Sequence, residues 1–133
     1  MKKLKPKLFS PKNIDKYLNV LDFNIVESFI CRHLYILKND NKKHTILRGY
    51  HAHKELSQVF IGTSGDVEIE LENYIEKIKF TINQKKFLYL PPGYWRVITL
   101  NPSSGMIILS DAKYDEDDYI RNYEEFMLWS KNQ

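Results

Sequence analysis

A chain of 133 residues, 43% hydrophobic and 28% charged, is long enough to bury one core and too short for two ordinary domains, so residues 1–133 are read as a single domain. Nine tyrosines, seven phenylalanines and two tryptophans exclude a disordered or low-complexity chain. The 20 basic and 17 acidic residues leave a net charge of only +3, too mild and too scattered for a nucleic-acid footprint.

The basic start, Met1 to Lys12, is not followed by an apolar core, and no apolar stretch approaches the roughly 18 residues of a membrane span. The expectation is a soluble, cytoplasmic protein without membrane or nucleic-acid partners. Cys31 is alone, which leaves neither an intramolecular disulfide nor a cysteine-based zinc site.

From about Phe23 to Asp111, short strand-like runs alternate with turn residues. Predicted strands cover Phe29 to Lys38, Thr45 to His53, Ser57 to Ile61, Asp66 to Leu71, Lys77 to Ile82, Phe87 to Leu90, Arg96 to Leu100 and Met106 to Ser110. The clearest is Asp66 to Leu71, where three aliphatics alternate with three acids and therefore share one face. Lys77 to Ile82 repeats the pattern with basic and polar outer residues, so the two are expected to pair antiparallel through a turn near Asn73, opposite charges facing each other. About nine such strands predict an all-β antiparallel jelly roll. The acids Asp115 to Asp118 suit a helix N-terminus, and Tyr119, Ile120, Tyr123, Phe126 and Met127 follow at helical spacing. A short C-terminal α-helix covering the sheet or a subunit neighbour is expected there.

The chemistry concentrates in Arg48-Gly49-Tyr50-His51-Ala52-His53-Lys54, with Gln58 downstream and Pro91-Pro92-Gly93-Tyr94-Trp95-Arg96 further on. This spacing resembles the two metal-binding motifs of the cupins, but Gln58 stands where a ligand Glu belongs and Arg96 where a ligand His belongs. A neutral amide is a poor ligand and a guanidinium has no lone pair to give, so no metal is expected. His51 and His53, on alternate residues of a strand, would lie about 7 Å apart on one face. Their imidazoles can take and return a proton near neutrality; buried structural histidines are the alternative reading.

These blocks, with Tyr114 to Arg121 and the run Phe29 to Ile36, are similar to those of the dTDP-4-keto-6-deoxyglucose 3,4-ketoisomerases, the WxcM-like sugar cupins. The resemblance implies a cofactor-free jelly-roll homodimer with exchanged N-terminal strands, acting on a dTDP-linked deoxysugar in the biosynthesis of 3-amino-3,6-dideoxy sugars for surface glycans. It further implies a catalytic tyrosine at Tyr35 beside the base His51, with His53 as a second acid/base or an orienting partner. Arg32, Arg48, Lys54 and Arg121 are candidate substrate-binding cations, with Gln58 also at the site. Strand alternation puts Arg48 and Lys54 opposite the histidine face. Trp95 either stacks on the thymine or fills core. A sugar 3,5-epimerase of related fold and a non-catalytic sugar-nucleotide-binding cupin are the competing readings.

Overall fold

The structure, a computed structural model, describes residues 4–22 and 29–133. The start of the strand region at Phe23 lies outside the described residues.

The strands in chain order are β1 (Lys7–Phe9), β2 (Lys12–Asn13), β3 (Asn19–Val20), β4 (His33–Asn39), β5 (Ile46–His53), β6 (Gln58–Ser64), β7 (Val67–Glu72), β8 (Lys77–Ile82), β9 (Phe87–Leu90), β10 (Trp95–Leu100), β11 (Ser104–Ser110) and β12 (Tyr119–Ile120). A helix, α1, spans Tyr123–Lys131. Two five-stranded antiparallel sheets, β1-β9-β6-β11-β4 and β12-β5-β10-β7-β8, form the expected jelly roll, and β2 pairs with β3 in a small hairpin. Phe60, Ile69, Leu71, Leu88, Ile98 and Met106 belong to the main core cluster, to which both sheets contribute.

The β7–β8 hairpin follows its pattern closely. Val67, Ile69 and Leu71 are fully buried, Glu70 stands opposite Lys79 in register, and its carboxylate lies 3.1 Å from Lys77 Nζ and 3.8 Å from Lys79 Nζ. These pairs are exposed and screened by solvent, so they add little; burial of the alternate aliphatics fixes the register. Asn73 makes the turn by accepting the N–H groups of Ile75 and Glu76.

The C-terminal expectation needs correction. Asp115 to Asp118 do not open the α-helix; Asp115 caps a single 3-10 turn, Glu116–Asp118, by accepting the Asp117 N–H. Tyr119 and Ile120 then form β12, opposite His53 and Ala52 of β5. Two periodicities overlap here, and the sheet edge wins because it gives Tyr119 and Ile120 backbone partners that a helix start would lack. The helix begins after Asn122, whose side chain accepts the Glu125 N–H. Of its two expected partners it covers the sheet, packing Phe126 with Ala52, Trp95 and Ile120. The first long strand also starts later than predicted, at His33 rather than Phe29.

Candidate active site

A cavity of about 420 Å³ opens between the two sheets, lined by Tyr35, Arg48, His51, Gln58, Arg96 and Tyr119 among others. Strand β5 brings His51 to the cavity wall through an irregularity. Gly49 and Tyr50 both take positive φ, 96° and 58°, and the register with β10 jumps from Arg96 opposite His51 to Val97 opposite Gly49. Tyr50 is the extra residue of this bulge. A Cβ on Gly49 would lie 2.7 Å from the Arg96 carbonyl oxygen, so glycine is required there by both backbone angle and space.

The bulge reverses the alternation upstream of it. Arg48 pairs with the inward-facing Ile98 and lines the same cavity as His51, contrary to the expectation that it faces away. A glycine inside a strand was the available sequence signal. Lys54, by contrast, lies outside this cavity, in a groove with Glu55, Asp111 and Asp118. Arg32 is exposed and absent from the cavity wall. Trp95 is core: its ring packs against Tyr123 and Phe126 on the helix side of the sheet.

The two histidines differ in access. His51 lines the cavity, and its Nδ1 donates to the Gly49 carbonyl at 3.0 Å, which leaves Nε2 with a free lone pair. His53 is only 1% exposed and sits behind it, with ring centroids 4.9 Å apart in an edge-to-face arrangement. Tyr119 touches both rings, 4.9 Å from His51 and 4.3 Å from His53. Burial, and then the nearby Arg96 cation, hold the pKa of His51 down at about 3 and that of His53 at about 2. Both are therefore neutral at physiological pH.

Arg96 is the most fully buried cation of the described chain at 1% exposure. It donates to the Gln58 side-chain oxygen and to the Tyr94 carbonyl, and Gln58 in turn donates to Ser110 at 3.0 Å. Its Nε has no partner, and no ion pair reaches it among the described residues. Burial lowers its pKa to about 9, still high enough to keep the charge near neutrality. The two positions that depart from the cupin ligand set are thus bonded to each other, and one of them carries a buried positive charge. Among the described residues, no group of three or more His, Cys, Asp or Glu is placed to hold a metal ion.

Above the histidines, burial and the Tyr35 phenol beside it raise the pKa of Tyr119, which stays protonated as a donor. Arg121 covers the Tyr119 ring at 4.2 Å and is held by Glu116 in a two-point ion pair. Arg48 enters no ion pair among the described residues. Tyr119, Asp118 and the buried role of Arg96 were missed by the sequence reading. Tyr119 sat in a segment read as helix, and Asp118 reaches His53 across 65 positions of chain.

Residues 5–131 match the family described as FdtA: WxcM-like, C-terminal. The chain is 36% identical over 83 residues to the TDP-4-oxo-6-deoxy-alpha-D-glucose-3,4-oxoisomerase of Aneurinibacillus thermoaerophilus; that match spans 59% of this chain and 58% of the relative, less than two thirds of its length. The fold is similar to that of the sugar 3,4-ketoisomerase QdtA of Thermoanaerobacterium thermosaccharolyticum in complex with TDP, with 33% identity, 96% and 95% of the two chains covered, and a TM-score of 0.82. An Asn-for-His variant of that enzyme, in complex with TDP-4-keto-6-deoxyglucose, superposes with a TM-score of 0.83, 32% identity and coverage of 96% and 95%. The Mycobacterium tuberculosis rmlC epimerase, at 15% identity, a TM-score of 0.69 and coverage of 86% and 66%, shares the fold alone.

Proposed function

The chain belongs to the FdtA, WxcM-like family, and from that premise we propose that it is a 3,4-ketoisomerase of dTDP-4-dehydro-6-deoxyglucose. The observation that carries this reading is the pairing of His51, neutral with a free Nε2, directly across β5–β10 from the buried Arg96 cation in one cavity. A base and a fixed positive charge are what a proton transfer next to a ketone requires.

His51 Nε2 takes the proton from sugar carbon 3, and the electron pair moves to oxygen 4 to give an enediolate. The proton of oxygen 3 passes to oxygen 4, and a proton returned to carbon 4 leaves the ketone at carbon 3. Electrons only shift within the sugar, so the reaction calls for no redox cofactor. Arg96 stabilises the oxyanion by charge, and Tyr35 and Tyr119 supply phenol donors on the same wall. His53, set back behind His51, acts as the second acid/base. Arg48 at the rim, with no carboxylate of its own, serves the diphosphate; Arg121 does so only by sharing its charge with Glu116.

Proton NMR of the protein with dTDP-4-keto-6-deoxyglucose tests this reading. Loss of the 4-keto signal with appearance of a 3-keto product is expected. Inversion without movement of the carbonyl would indicate the epimerase, and no change at all a binding cupin. Because Gln58 and Arg96 bond to each other rather than offering ligands, the rate is expected to be unchanged after dialysis against a strong chelator. Stoichiometric zinc, iron or manganese whose removal abolished turnover would overturn that.

The working unit in this reading is a cytoplasmic homodimer. Its support is the edge of the first sheet: among the described residues β4 ends that sheet, with Leu34 and Ile36 exposed at 51% and 70%, apolar surface that a monomer in water would leave uncovered. β1 pairs with β9 of its own chain over three residues, and strand exchange would give the same pairing to a partner copy. Sedimentation equilibrium at micromolar concentration is expected to give twice the chain mass of 15.9 kDa. A monomer alone would refute the dimer.

A further inference from the structure

Among the described residues the His53 ring has one polar partner, and that partner lies outside the cavity. Its Nδ1 is 3.0 Å from Asp118 Oδ2, while its Nε2 is buried with no partner among the described residues. Asp118 is itself clamped. Its Oδ1 accepts the Glu55 N–H at 2.7 Å, and its carbonyl accepts the Lys54 N–H at 3.0 Å, so the turn leaving β5 holds the carboxylate in one orientation. One oxygen secures the backbone, and the other faces imidazole. A carboxylate only accepts. The neutral His53 ring must then carry its hydrogen on Nδ1 and keep a lone pair on Nε2. His51 and Tyr119 pack against this ring, with centroids at 4.9 and 4.3 Å.

We propose that Asp118 is a positioning residue of the site: it holds His53 as the Nδ1–H tautomer, so that Nε2 is a proton acceptor set behind His51 and Tyr119. The inference rests on the ketoisomerase reading for its catalytic consequence, and on geometry alone for the tautomer. Any proton that Nε2 takes comes by way of the His51 or Tyr119 ring that covers it; the ring is then an imidazolium, a transient state because burial disfavours it, and its Nδ1–H stays on the Asp118 carboxylate. Asp118 remains ionised and offsets the new charge; when the proton returns, the neutral tautomer is restored and nothing is consumed. The opposite tautomer would present Nε2–H and could not accept.

Nitrogen-15 NMR of the full chain labelled at histidine reads the tautomer directly, with Asp118→Asn as the variant. Asparagine keeps an oxygen for the Glu55 N–H but turns its NH2 toward Nδ1, so His53 is expected to switch to the Nε2–H form. Turnover should fall by about 10²-fold or more, with KM within about twofold of wild type, a split that a merely structural role would not produce. An Nε2–H tautomer in the wild-type protein would overturn the proposal, as would a folded Asp118→Asn protein that kept the wild-type tautomer or the wild-type kcat. Should the variant fail to fold, the wild-type spectrum decides alone. A wild-type protein with the Nδ1–H tautomer but no isomerase activity would strike the functional reading and leave the assignment of Asp118 standing.

Discussion

Replacing His51 with asparagine is expected to stop isomerisation while leaving the fold and nucleotide-sugar binding in place. His51 is the histidine whose ring reaches the cavity, and its Nδ1–H bond to the Gly49 carbonyl leaves Nε2 as the accepting atom. Asparagine can renew a hydrogen bond to that carbonyl through its NH2 but offers no nitrogen lone pair. A positioned general base contributes about 10²- to 10⁴-fold, and the loss should fall on kcat rather than on KM. The direct measurement is solvent-deuterium incorporation at sugar carbons 3 and 4. Exchange at the wild-type rate in the variant would mean that His51 is not the base, and the role would pass to His53.

The second large effect is expected at Arg96. Arg96→Met keeps an unbranched chain in the buried space but removes the charge, and loss of one oxyanion stabiliser costs about 10²- to 10³-fold in kcat. The side chain has no carboxylate to release, so the folded protein loses a desolvated cation. Against that, the Gln58 oxygen loses its donor, at about 1–3 kcal/mol. The variant should therefore fold with a modestly lower melting temperature. The pH profile carries the sharper sign. His51 must be neutral to act, and burial followed by Arg96 places its pKa at about 3, so the acid limb of kcat/KM in the wild-type protein should lie well below 6.5. Without Arg96 the imidazolium is less disfavoured, and the limb should move upward toward that ordinary value. An unchanged kcat with an unmoved limb would remove Arg96 from the chemistry.

The residues that carry these arguments were legible in the sequence to different degrees. Spacing or resemblance points to His51, Tyr35 and Gln58 as site residues and to Arg96 only as a departure from the ligand set; all four line one cavity. Trp95 was left between two roles, and packing against Tyr123 and Phe126 decided for core. Lys54 and Arg32 were drawn toward the site by charge and proximity in sequence, which do not say where a side chain ends. Arg48 was placed on the wrong face because alternation assumes an unbroken ladder, and the two positive-φ residues Gly49 and Tyr50 break it.

By itself, the sequence determined the features that depend on local pattern. Alternating aliphatics bury one face of β7 and β8 whatever they pack against, turn residues separate short strands, and the chemistry of Gln58 and Arg96 makes them poor metal ligands in any fold. Only the tertiary structure decided what depends on partners distant in the chain. The bulge at Tyr50 follows from the register between β5 and β10, the choice of strand over helix at Tyr119 follows from the open edge of β5, and the difference between His51 and His53 follows from which ring Asp118 can reach across 65 residues. Hydrogen-bond satisfaction of buried groups is settled by whatever the folded chain brings within about 3 Å, and no local period encodes that.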